Sequence, residues 1–116
     1  NLITLKINNG EETKQLSGTV FHQEGIRIVD INGYDVDIIP QGNMLVTDHG
    51  DQPGIVGKVG TLLGDNDINI ASMQLGRNKA GGEAIMVLNI DQQLSEDIKD
   101  ELLKIEGMND FSLLSL

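Results

Sequence analysis

The stretch that most constrains this chain runs from His49 to Arg77, where a short apolar strand gives way to a loop dense in turn and cap residues, then to a helix and a further strand. Residues 43–47 read as the strand, and His49-Gly50-Asp51-Gln52-Pro53-Gly54 as the loop, with His49 at its mouth. Asp51 is placed to cap a helix over residues 53–63, and Pro53 suits its first turn, where the missing N–H would have no partner anyway. Ile55, Val56, Val59, Leu62 and Leu63 form one broad apolar stripe on that helix, while Gly54, Gly57, Gly60 and Gly64 gather on the opposite flank. Such a helix start directs unpaired backbone N–H groups, and the positive end of the helix dipole, at the loop. That combination suits a small carboxylate.

The segments that follow continue the alternation of strand and helix. Residues 68–75 read as a strand whose phase slips, because Ile68 and Ile70 share one face while Met73 and Leu75 share the other; a bulge near Ala71-Ser72 accounts for this. Asn78-Lys79-Ala80-Gly81-Gly82 is a hairpin loop, and residues 84–90 are apolar almost throughout, as in a central strand. Ser95 is placed to cap a second helix with Ile98, Leu102 and Ile105 on one side; Gly64 and Gly107 are the expected helix ends. Residues 111–116 form the last strand. The order βαββαβ predicts the ferredoxin-like α+β plan, four antiparallel strands with both helices on one face.

Residues 1–42 have a different character, an antiparallel β-hairpin segment. Strands are expected at residues 2–7 and 15–21, with turns at Asn8-Asn9-Gly10 and His22-Gln23-Glu24-Gly25. Asn32-Gly33 is the favoured two-residue type I′ turn, flanked by strands at 26–31 and 34–39. That turn pairs Ile31 with Tyr34, Val29 with Val36 and Arg27 with Ile38 on one face, and Asp30 with Asp35 and Ile28 with Asp37 on the other. Opposed like charges mark the second face as wet. Pro40-Gln41-Gly42 separates the two halves. Because the chain starts at Asn1 and enters a strand at once, it reads as a piece of something longer.

Composition removes several function classes. Eighteen acidic residues against eight basic ones, with no Lys/Arg stripe, argue against nucleic acid or an anionic membrane as partner. No apolar run approaches a membrane span. With no cysteine there is no disulfide, thiolate or Cys-zinc chemistry, in keeping with a cytoplasmic protein. No Ser-His-Asp signature is present, and Gly54, Gly57 and Gly60 lie inside a helix rather than in a dinucleotide-binding turn. The sequence thus offers no catalytic residue, metal site or cofactor site. On residues alone His49 reads first as a loop histidine bonded to nearby backbone, Asp51 as a cap, and Asn69 as turn chemistry. His22 beside Glu24, and the Asp30, Asp35 and Asp37 patch, read as solvated rather than metal-binding.

The run from His49 to Gly54 with Gly57-Lys58-Val59-Gly60 and Ile68-Asn69-Ile70 resembles an ACT domain, a small amino-acid-sensing module. Upstream, Ser17-Gly18-Thr19-Val20 and Ile28-Val29-Asp30-Ile31-Asn32-Gly33 resemble the intervening domain of the longer type of D-3-phosphoglycerate dehydrogenase, as does the stretch from Gly76-Arg77 to Gly82-Glu83-Ala84-Ile85-Met86 its C-terminal end. The resemblance implies a remnant of that intervening domain over residues 1–42 and an ACT domain over 43–116. It implies feedback sensing of L-serine, or another small amino acid, between ACT domains that self-associate side by side. Carried over residue by residue, the effector site is His49, Gly50, Asp51, Pro53, Gly54 and Asn69, with Arg27 a retained anion contact of the intervening domain. Some relatives carry Asn where this chain has Asp51. NAD and the catalytic residues of such an enzyme lie in parts that this chain does not contain. Iron–sulfur L-serine dehydratases carry a related arrangement, and an assembly module without a ligand is the alternative from another class.

Overall fold

Period-2 and period-3.6 patterning resolve, in a computed structural model that describes residues 2–9, 12–21, 25–31, 33–77 and 82–115, into eight strands and two helices. They are β1 (Leu2–Asn9), β2 (Glu12–Phe21), β3 (Gly25–Ile31), β4 (Tyr34–Ile38), β5 (Asn43–Gly50), α1 (Ile55–Asp65), β6 (Ile70–Arg77), β7 (Glu83–Ile90), α2 (Glu96–Lys104) and β8 (Met108–Ser115). The chain divides into two compact units, Asn1–Pro40 and Gln41–Leu116. The turns expected at 8–10 and 22–25, and the hairpin loop at 78–82, fall partly outside the described residues. His22 and Asn32 lie outside them altogether.

The first unit is an antiparallel meander in the order β1-β2-β3-β4. Gly33, at φ 86°, has the left-handed conformation that the second position of a type I′ turn requires. Ile31 pairs with Tyr34 and Asp30 with Asp35, as the two-residue turn predicts. Beyond them a bulge at Val29 corrects the expected register, and Ile28 pairs with Ile38 instead of Asp37. The bulge moves Ile28 onto the same buried face as Ile31, Val36 and Ile38, which removes an isoleucine from a face lined with aspartates. Arg27 then bonds Asp37, whose carboxyl is held below its ordinary value first by that hydrogen bond.

The second unit has the ferredoxin-like α+β arrangement. Its sheet runs β6-β7-β5-β8, all neighbours antiparallel, with α1 linking β5 to β6 and α2 linking β7 to β8. Leu45, Met86, Leu88 and Ile90 of the sheet pack against Ile55, Val59 and Leu63 of α1 and Ile98 and Leu102 of α2. The phase slip in β6 is a register shift between Ile70 and Ser72. Ser95 caps α2, accepting a hydrogen bond from the Ile98 N–H at 3.3 Å. No described helix is long and apolar enough to cross a membrane.

Three local expectations are corrected, each by backbone geometry. β5 continues through His49 and Gly50, because those residues keep pairing with β7. α1 begins at Ile55 with Gly54 as its N-cap, so neither Asp51 nor Pro53 belongs to its first turn. Gly54, at φ 93° and ψ −17°, has the third-position geometry of a type II turn, which favours Pro just before Gly and cannot continue a right-handed helix. At its other end α1 passes Gly64 and stops at Asp65, where Asp67 takes the left-handed conformation at φ 59°. α2 likewise ends at Lys104, and Gly107 (φ 94°) shapes the turn into β8.

Candidate functional site

The end of β5 and the four-residue path to α1 are tied down on two sides. The Gly50 N–H donates to the Gly107 carbonyl at 2.9 Å, and the Asp51 N–H to the Gly82 carbonyl at 2.8 Å. The Gln52 N–H turns back onto the Gly50 carbonyl at 2.9 Å, and its side-chain Nε2 donates to the Glu106 carbonyl at 3.3 Å. The N–H groups of residues 50–52 are therefore already committed, which leaves those at the start of α1 for a ligand. Ile55, Val56 and Gly57 precede the first intrahelical bond, Lys58 N–H to the Gly54 carbonyl, and the glycine N-cap supplies no side chain to satisfy them. A carboxylate at this position would meet three donors without a partner among the described residues, at the positive end of the helix.

His49 reaches this region from the strand rather than from the loop. Its ring is buried at 2 % exposure, and Nδ1 lies 3.1 Å from the Thr47 hydroxyl, two residues back on the same face of β5. Burial pushes the imidazole below its ordinary value, and the nearby carboxylates of Asp48, Asp51 and Glu83 act in the opposite direction. The ring is accordingly neutral at pH 7. Thr47, Gln52 and the two glycine carbonyls are the neighbours of these candidate residues that sequence reasoning misses. The period-2 spacing of Thr47 and His49 is the one signal that points to any of them.

Asn69 lies elsewhere. Its N–H donates to Gln92 Oε1 at 2.9 Å and its side-chain Nδ2 to Asp91 Oδ2 at 2.7 Å. The side-chain oxygen has no partner among the described residues. The register places Ile70, the next residue, beside Ile90 and hence beside Asn43, whereas His49 pairs with Ala84 and hence lies level with Arg77. Asn69 and His49 thus stand at opposite ends of the sheet, about 20 Å apart at roughly 3.3 Å per strand residue. One chain brings together His49, Gly50, Asp51, Pro53 and Gly54, and leaves Asn69 at the far end. Arg27, in the first unit, already faces Asp37.

No group of three or more metal-ligating side chains occurs among the described residues. Of the three glycines at Rossmann-like spacing only Gly54 lies in the turn; Gly57 and Gly60 are within α1, with open space where a Cβ would stand.

A family model described as "ACT domain" matches residues 43–107. The chain is 41% identical over 116 residues to D-3-phosphoglycerate dehydrogenase of Bacillus subtilis, covering all of this chain and 22% of that enzyme. It is 36% identical over 114 residues to the Methanocaldococcus jannaschii enzyme, covering 97% of this chain and 22% of the relative. With the Synechocystis enzyme it shares 42% identity over 94 residues, 81% of this chain and 17% of the relative. The chain thus spans about a fifth of the length of these relatives and is homologous to their C-terminal part. It belongs to the ACT domain family.

Proposed function

We propose that this chain is the serine-sensing regulatory segment of a cytoplasmic, NAD-dependent D-3-phosphoglycerate dehydrogenase, with residues 43–116 its ACT domain and 1–42 the end of its intervening domain. L-serine is held between two ACT domains paired side by side. The observation that carries this reading is the separation of Asn69 from the His49 loop on a sheet with a free edge. β6 is an edge strand, and its Met73 and Leu75 are 49% and 42% exposed although both are large and apolar. Two-fold antiparallel pairing of β6 with β6 brings the start of one strand to the end of the other. The second chain's Asn69 then comes level with Arg77 and the His49 end of the first sheet.

At such a junction the serine carboxylate meets the N–H groups of Ile55, Val56 and Gly57 and the His49 ring. Its ammonium meets carboxylate and amide oxygens, those of Asp51 and of the second chain's Asn69. Aspartate at position 51 strengthens the ammonium contact and weakens the carboxylate one. A ligand bridging two chains regulates the enzyme only through a difference in its affinity for the enzyme's states. NAD and the reacting groups belong to the parts of the enzyme outside this chain.

Calorimetric titration of L-serine, with glycine and D-serine as controls, tests the reading. Saturable heat specific to L-serine is expected, with unfolding stability raised by about 2.7 kcal/mol at a hundredfold excess over Kd. Heat no different from the controls, in a sample shown by sedimentation to be self-associated, overturns sensing and leaves assembly as the role of the domain.

A further inference from the structure

We propose that Thr47 is a positioning residue: its buried hydroxyl donates to Nδ1 of His49, fixes the ring as the Nε2–H tautomer, and so makes His49 a hydrogen-bond donor to the carboxylate at the head of α1. This inference rests on the amino-acid-binding reading above and adds the residue that prepares the ring for it. The geometry begins with the 3.1 Å contact between Thr47 Oγ1 and His49 Nδ1, two groups with almost no solvent. Thr47 is flanked in register by Met86 and Phe111, and His49 by Ala84 and Met108. None of these side chains accepts or donates a strong hydrogen bond, so the hydroxyl and the ring nitrogen have each other.

The direction of that bond follows from counting protons. With the proton on Nδ1, the ring donates to Thr47, and the hydroxyl's own proton is then buried without an acceptor. At the same time Nε2 becomes a bare acceptor, with no proton to give a carboxylate. With the proton on Nε2, the hydroxyl donates to Nδ1 and its proton is satisfied, while the one N–H left over, on an atom that is not among the fully buried unpartnered ones, is the group a carboxylate needs. An orphaned buried donor costs about 1–3 kcal/mol, which decides between the tautomers. The second state of the hydroxyl leaves only an acceptor lone pair unused, the smaller loss. Valine at position 47 matches threonine in shape but supplies neither donor nor acceptor.

The test is a multiple-bond proton–nitrogen correlation spectrum of the full 116-residue chain, labelled at its histidines, at pH 7.5 without ligand. A His22→Gln variant assigns the two rings. The expected pattern for His49 is a protonated Nε2 and an accepting Nδ1. Thr47→Ser retains the pattern, and Thr47→Val loses it to a mixture of tautomers while serine affinity falls roughly tenfold. A wild-type ring protonated at Nδ1, or a Thr47→Val spectrum identical to wild type, overturns the proposal. So does equal loss of affinity in the serine and valine variants with the tautomer unchanged, since that pattern reports packing alone. If the wild-type chain binds no amino acid, the sensing reading fails, and the proposed donation to its carboxylate fails with it. The same spectra still decide the tautomer assignment, so the two failures remain distinguishable.

Discussion

A histidine buried beside methionine, alanine and one threonine, with acidic residues near enough to offset only part of the cost, takes up a second proton by burying a charge and by turning its Nδ1 into a donor. His49 is in that position. Its folded-state value lies below 6.5, chiefly because of burial, while in the unfolded chain it returns to its ordinary value. The unfolded chain therefore binds more protons between those two values, and stability must rise with pH across that window. The contribution is fully present above about pH 6.5 and is lost as pH falls through the folded-state value. The slope from one such group cannot exceed about 1.4 kcal/mol per pH unit. Urea unfolding at pH 7.5 and 5.5 is expected to give a steeper loss of stability for the wild-type chain than for His49→Gln, whose amide does not titrate. Parallel losses in the two proteins would place the titration elsewhere, on His22 or on the acidic groups.

At the scale of elements, the loop before α1 is held in place by two turns distant in sequence, at Gly82 and at Gly107. A side chain at Gly107 would crowd two others: its Cβ would lie 2.6 Å from Ile55 Cδ1, and closer still to the Gln52 amide, so those side-chain ends must shift. Gly54 shares its left-handed backbone but has open space around the missing Cβ. Gly54→Ala is expected to cost about 1–2 kcal/mol from backbone strain alone. Gly107→Ala adds overpacking, on the order of 1–3 kcal/mol more. Denaturant midpoints with unchanged slopes measure the difference, and equal losses at the two glycines would refute the close approach. These straps also explain what was legible in the sequence. Ser95 and the stripe below it announced α2, Asn32-Gly33 announced its hairpin, and the phase slip announced the bulge in β6, all within a few residues. The extension of β5 through His49 and the late start of α1 depend on carbonyls more than 20 positions away. Pro53-Gly54 carried a turn signal that competed with the helix signal, and the turn prevailed. At the site, residue types were legible, whereas the Thr47 hydroxyl was not, because threonine in a strand needs no further reason.

For the whole molecule the central fact is topological: β5 and β6 are both antiparallel to β7, hence parallel to each other, so the start of β6 and the end of β5 cannot meet within one domain. Any ligand that needs both His49 and Asn69 must use two chains. This requirement can be separated from simple loss of function by mixing variants. His49→Ala and Asn69→Ala each disrupt both sites of a symmetric pair and are expected to bind serine weakly. Unfolded together and refolded as an equal mixture, they form mixed pairs in which one site has lost both residues and the other has lost neither. Random pairing through a two-fold interface then restores about a quarter of the wild-type sites at full affinity. Titration calorimetry of the co-refolded sample is the measurement, with the separately refolded variants as controls. Recovery of that fraction would require residues from two chains in each site. No recovery, with sedimentation showing that mixed pairs had formed, would mean that His49 and Asn69 do not act on one ligand, and the side-by-side arrangement would then lose its geometric support.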